Sequence, residues 1–217
     1  MNQKIIELIN KQGWIELKNI TSDEELITLA QSIGQIIKHP NGELIGSLKP
    51  KSGKDSIKGT FSNQYGYNSF PLHTDTAFWG KPARYILLSS KEISNCSTLI
   101  VSSSDIWENI SDDDMKFAKQ AIYLIKTIHG QFYSSLIFRE NNIEGLRYDS
   151  TCMRPFNQSG KKIQESLELI LSNIQPKKID WTGNKTIIID NWKILHGRTP
   201  IINNKNRELK RIYIQSL

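Results

Sequence analysis

The chain has 217 residues, 38% of them hydrophobic, and a formal charge of +6, enough apolar material for one sizeable core and so one expected domain over 1–217. No run approaches the roughly 18 apolar residues of a membrane span, and the first residues have no signal-peptide pattern. Cys96 and Cys152 are too few for a disulfide framework, which makes a cytoplasmic setting the expectation.

In chain order, Met1-Asn2-Gln3-Lys4 leads into a short amphipathic segment. Thr21-Ser22-Asp23-Glu24-Glu25 opens a helix with a capping-box pattern; Leu26, Leu29, Ala30 and Ile33 line its face and Gly34 can end it. The stretch 49–59 is rich in Lys, Ser and Gly and reads either as a surface loop or as a lid. Apolar strands are expected at 84–89, 98–102, 122–128, 134–138, 186–189 and 211–214. Helical patterns follow Ser111 and cover 161–172, where Ile163, Leu167, Ile170 and Leu171 form one stripe. Many strands with few helices predict a mainly β fold with flanking helices. The expected architecture is a double-stranded β-helix, the cupin-like jelly roll.

The chemistry concentrates in His73-Thr74-Asp75 and in His196, which a short apolar run delivers after a β-branched stretch breaks at Asp190-Asn191. On an extended strand, His73 and Asp75 point to one face. Two imidazoles and a carboxylate can hold a redox-active metal and leave positions open for co-substrate and oxygen. A His-x-Asp triplet alone is a weak signal, and context gives it weight. His39 and His129 have no partner at ligand spacing and read as surface or core histidines.

Four segments carry a resemblance: Leu72 to Asp75, Pro82 to Leu88, Asn95 to Leu99, and Asp190-Asn191-Trp192 through Arg211. With Gly13-Trp14-Ile15 upstream, the chain resembles the TauD/TfdA-type Fe(II)- and 2-oxoglutarate-dependent dioxygenases over nearly its whole length. The resemblance implies that His73, Asp75 and His196 ligate iron, that Arg207 and Thr98 hold the distal carboxylate of 2-oxoglutarate, and that Arg211 lies near an anionic substrate or co-substrate. It implies O2 as the second co-substrate and succinate and CO2 as products. Asn95-Cys96 stands where the family has a Gly-Gly turn, a departure at the Thr98 segment. Asp75 also argues against a halogenase, whose relatives have a small residue in its place.

Phe78 and Trp79 follow the metal pair and read as pocket wall or plain core. Arg147, in a segment resembling one of amino-acid-modifying relatives, reads as a substrate-carboxylate partner or a structural ion pair. Asn63 and Tyr65 are further candidate substrate contacts. From 191 to 217, six basic residues oppose Glu208 alone, either a solvated face or an electropositive pocket. The lysines elsewhere are scattered, without a nucleic-acid-binding motif. The expectation is a hydroxylase of a small carboxylate-bearing molecule such as an amino acid or derivative. A non-catalytic cupin-like binding protein, an oxygenase acting on nucleic acid, and a zinc hydrolase are the alternatives.

Overall fold

The computed structural model describes residues 2–128, 130–202 and 207–215. Helix α1 (Asn2–Gln12) turns at Gly13 into β1 (Trp14–Lys18), followed by α2 (Asp23–Gln31), β2 (Gln35–Ile37), β3 (Gly46–Leu48), α3 (Phe61–Tyr65) and β4 (Phe70–His73). Strands β5 (Tyr85–Ser90) and β6 (Ile93–Ser102) precede α4 (Ser103–Trp107), α5 (Asp112–Gln120), β7 (Ile122–Thr127), β8 (Gly130–Ser135), β9 (Ile137–Glu140), β10 (Ile143–Leu146) and β11 (Met153–Pro155). The chain continues through α6 (Gln158–Asn173), β12 (Lys177–Thr182), β13 (Lys185–Asp190), β14 (Ile194–Arg198) and β15 (Leu209–Gln215).

Two antiparallel sheets form the double-stranded β-helix. One has the order β1-β13-β5-β15-β2, with β3 also paired to β15; the other has the order β12-β6-β14-β4. The turns after β5 and after β13 each carry the chain from the first sheet to the second, as a jelly roll requires. Strand β13 is buried throughout, because it lies between β1 and β5 with apolar layers on both faces.

Ile86, Leu88, Ile100, Trp181, Ile187 and Ile194 belong to one core cluster. Ile5 and Ile9 of α1 and Leu26 and Ala30 of α2 cover the other face of the first sheet against Leu87, Ile188 and Ile212. The capping box expected at Ser22 forms, since Ser22 Oγ accepts from Glu25 N and Glu25 Oε2 accepts from Ser22 N. Helices α5 and α6 pack Ala118, Ile163 and Leu167 with Tyr123 and Ile125 of β7. Each such fully buried Ile or Leu contributes about 1.5–3 kcal/mol.

Three local expectations change. The strand expected at 134–138 is broken at Leu136, whose N–H bonds Ala121 O and whose carbonyl accepts from Arg147 N. Asn95-Cys96 forms no turn; it lies within β6 as a bulge, because Ser94 pairs with Trp181 but Thr98 already pairs with Ile179. Thr199 draws the bulge out by accepting from Ser97 N and donating its own N–H to Ser97 O. Asp75 lies one turn beyond β4, which ends at His73.

Two glycines are required by this geometry. Gly13 has φ +79°, and a Cβ there would stand 2.6 Å from Ile194 Cδ1. A Cβ at Gly197 would meet Phe70 O at 2.6 Å, so its absence lets β14 close on β4 beside His196.

Candidate active site

The sheet pairing brings the two histidines together. His196 of β14 is the register partner of His73 of β4, and their ring centroids are 4.5 Å apart. Thr74 N donates to Tyr148 O and Thr74 Oγ1 to Leu146 O, which turns Thr74 into the core and leaves His73 and Asp75 on the opposite side. Asp75 Oδ2 lies 4.0 Å from His196 Nε2, beyond hydrogen-bond range.

Among the described residues, no three His, Cys, Asp or Glu side chains already stand in closed metal geometry. The chemistry of the donors nonetheless fits Fe(II). Pro71 O can only accept, so the 2.9 Å contact makes His73 Nδ1 the donor and turns Nε2 into the ring nitrogen available to a metal. Burial first, and then His73, hold the His196 imidazole down to about 3, neutral at pH 7. His196 Nδ1 is buried with no protein partner, a cost characteristic of groups retained for chemistry. Burial opposes the Asp75 charge, but Arg211 and the histidines outweigh it and hold the carboxyl down to about 2.

Asp75 is anchored on every side. Arg211 Nη1 donates to Oδ2 at 2.8 Å, and Tyr213 OH to Oδ1 at 3.1 Å. Asn191 accepts from Asp75 N at 2.8 Å and donates to Asp75 O and to Ala83 O, each at 2.9 Å. Asn191 is held in turn by its neighbours: Arg84 pairs with Asp190 at 2.6 Å, both buried, and lies 4.5 Å over Trp192. Two of the segments singled out in the sequence, 82–88 and 190–192, therefore meet directly behind Asp75.

Thr98 of β6 is buried and its Oγ1 accepts from Trp181 Nε1 at 3.1 Å, which leaves the hydroxyl proton for another acceptor. Arg207 is 4% exposed; Nη1 donates to Cys96 Sγ at 3.4 Å and Nε has no partner. A buried guanidinium facing a thiol rather than a carboxylate keeps the capacity to pair with an anion. Arg198, beside the same thiol at 4.0 Å, lies 3.7 Å over Phe70 and donates to Gly66 O.

Other expected contacts divide. Trp79 packs edge-on to Tyr213 at 5.3 Å and so reaches the site, whereas Phe78 is 46% exposed next to it. Arg147 donates its guanidinium N–H groups to the carbonyls of Ala77, Trp79 and Gly80 at 2.8–2.9 Å, fixing the loop after Asp75. Asn63 is likewise occupied, donating to Gly53 O and accepting from Gly59 N, so it ties 53–63 into a compact loop. Tyr65 lies 6.0 Å from Phe61 and from Phe70. His39 accompanies the site without joining it, its Nε2 3.1 Å from Arg211 O and its ring against Tyr213. His129 lies outside the described residues.

The sequence reading missed Phe61, Tyr213 and the anchoring role of Asn191. Tyr213 had a signal, since it shares a strand face with Arg211 two residues earlier. Phe61 had none. A separate groove of about 600 Å³ borders Lys11, Trp14, Trp107 and Lys193 and contains none of His73, Asp75 and His196; the donor set, not cavity size, marks the candidate site.

A jelly roll that presents two histidines from neighbouring strands and an aspartate from the turn after one of them, with an arginine on that aspartate, has the form of a non-haem iron oxygenase. The family model described as "Taurine catabolism dioxygenase TauD, TfdA family" matches residues 2–163, and the chain belongs to that family. It is 22% identical to the 3-((Z)-2-isocyanoethenyl)-1H-indole synthase of Fischerella ambigua (strain UTEX 1903), over 88% of this chain and 77% of that protein. The fold is shared with PvcB of Pseudomonas aeruginosa at TM-score 0.74 and 16% identity, covering 99% of this chain and 80% of that one. It is also shared with an asparagine oxygenase in complex with Fe(II), 3-hydroxyasparagine and succinate, at TM-score 0.79 and 13% identity, covering 99% and 78%.

Proposed function

We propose that the chain is an Fe(II)- and 2-oxoglutarate-dependent oxygenase that hydroxylates an unactivated C–H bond of a small carboxylate-bearing substrate, such as an amino acid or derivative. The observation that carries this reading is the convergence of His73, His196 and Asp75, together with a buried Arg207 on Cys96 of β6 that has no carboxylate partner among the described residues. The bound iron and 2-oxoglutarate would supply the oxidising power, with succinate and CO2 as products. The polypeptide's part is orientation and charge.

His73, Asp75 and His196 would hold the metal. His73 is oriented by Pro71 O, and Asp75 is kept ionised and fixed by Arg211, Tyr213 and Asn191. Arg207 and the free hydroxyl proton of Thr98 would bind the distal carboxylate of 2-oxoglutarate. Arg211 faces the site with a guanidinium that can be shared between Asp75 and a substrate or co-substrate anion.

Support for a small substrate comes from family membership and from the asparagine oxygenase, whose complex holds a hydroxylated amino acid. Residues 1–217 are proposed to act as one catalytic domain. The family match stops at 163, yet β13, β14 and β15 beyond it are interleaved with strands from the first half. No described helix is long and apolar enough to cross a membrane, and a cytoplasmic location is part of the proposal. The test is labelled 2-oxoglutarate with an amino-acid panel: substrate-stimulated succinate supports the reading, and stimulation only by a polynucleotide overturns its substrate half.

A further inference from the structure

Aromatic rings flank the metal-facing side chains on two sides. Phe61 of α3 lies 4.2 Å from the His73 ring, tilted by 35°, and Phe70 lies 5.4 Å from Phe61. On the other side Trp79 meets Tyr213, whose hydroxyl bonds Asp75. Phe61, Phe70 and Trp79 are each only partly buried, so they keep accessible surface beside the ligand set.

Phe61 and Phe70, unlike Trp79, are positioned rather than used as filler. Phe61 and Phe70 belong to none of the three hydrophobic clusters of the fold. Thr60 Oγ1 caps α3 by accepting from Asn63 N, and Arg198 covers Phe70 while bonding Gly66 O just past α3. The described contacts thus fix a short aromatic helix against a metal-facing histidine without any packing need for it.

Resting on the oxygenase reading above, we propose that Phe61 is a specificity-determining residue and that the substrate joins its carboxylate to a planar aromatic or conjugated body. Arg211 provides the cation on the Asp75 flank, and the aromatic faces provide an apolar surface for flat groups. A short aliphatic side chain would leave the accessible part of Phe61 in water, and a cationic one, though able to lie over a ring, would meet the like charges of Arg211 and Arg198. The loop before α3, tied by Asn63, then matters as the scaffold that presents Phe61.

Isothermal titration of Zn(II)-substituted protein with 2-oxoglutarate present tests this without turnover. The probes are L-phenylalanine, L-tryptophan and their N-formyl derivatives, beside L-asparagine, L-arginine and taurine. At least one aromatic probe binds about tenfold more tightly than every non-aromatic one (about 1.4 kcal/mol). F61L loses most of that preference and F61Y keeps it, while both bind 2-oxoglutarate as wild type does. Equal or weaker binding of all aromatic probes, or an F61L variant with unchanged preference, overturns the inference. Wild type that binds neither metal nor 2-oxoglutarate overturns the oxygenase reading instead, so the two failures are distinct.

Discussion

Asn191 clasps the backbone of Asp75 from both sides, accepting from its N–H at 2.8 Å and donating to its carbonyl at 2.9 Å. The turn that links the two sheets thereby fixes the turn that carries the carboxylate. Asn191→Ala would strand the part-buried Asp75 N–H and carbonyl and the buried Ala83 carbonyl, at up to about 1–3 kcal/mol for each unsatisfied group. The expected outcome is a clear loss in denaturant midpoint together with metal affinity weakened about 10–100-fold. Metal affinity unchanged in a folded variant would remove Asn191 from this role.

Arg207→Ala should weaken 2-oxoglutarate by about 1.5–3 kcal/mol, roughly 10–150-fold, with little effect on stability. Arg207→Lys should recover only part, because an ammonium cannot reproduce the fork. Titration of the anaerobic Fe(II) protein measures this directly. Unaltered affinity in both variants would move the anchor elsewhere, with Arg211 next in line.

Arg84→Ala leaves the buried Asp190 with only the more distant Lys193, 4.0 Å away, as a cationic partner. Loss of one partner from such a pair costs about 3–5 kcal/mol. Urea unfolding should show that loss, whereas Lys116→Ala, which breaks the exposed pair with Asp113, should change stability by no more than about 1 kcal/mol.

The buried His196 ties stability to pH. Burial and His73 lower its folded pKa to about 3, against about 6.5 for an unfolded histidine. The unfolded chain therefore binds more protons between these values, so this contribution is fully present above about pH 6.5 and is lost as pH falls toward 3. Asp75, lowered to about 2, adds a further loss below about pH 4. Thermal unfolding of metal-free protein should show His196→Gln with a shallower decline than wild type between pH 6.5 and 4. Parallel profiles would show that His196 is not the titrating group.

The sheets were legible because their strands are apolar runs between turn residues, and α2 because Ser22 and Glu25 announce its start. The proposed ligand set was picked out differently: a His-x-Asp triplet alone is a weak signal, and the surrounding segments that resemble the family gave it weight. What the sequence hid is long-range. Nothing near Arg147 in sequence shows that its acceptors are the carbonyls of 77, 79 and 80, about 70 residues away. The bulge at Asn95-Cys96 depends on Thr199, and the position of Phe61 on the fold of the loop before it. Local pattern carries no record of such partners.

The central claim is that His73, Asp75 and His196 jointly hold iron with 2-oxoglutarate beside Arg207. The most direct measurement is an anaerobic visible difference spectrum on adding Fe(II) and then 2-oxoglutarate to wild type, His73→Ala and His196→Ala. A weak charge-transfer band in wild type that is absent from both folded variants is the predicted result. A band of equal intensity in all three proteins, or none in wild type at saturating Fe(II) and 2-oxoglutarate, would contradict it.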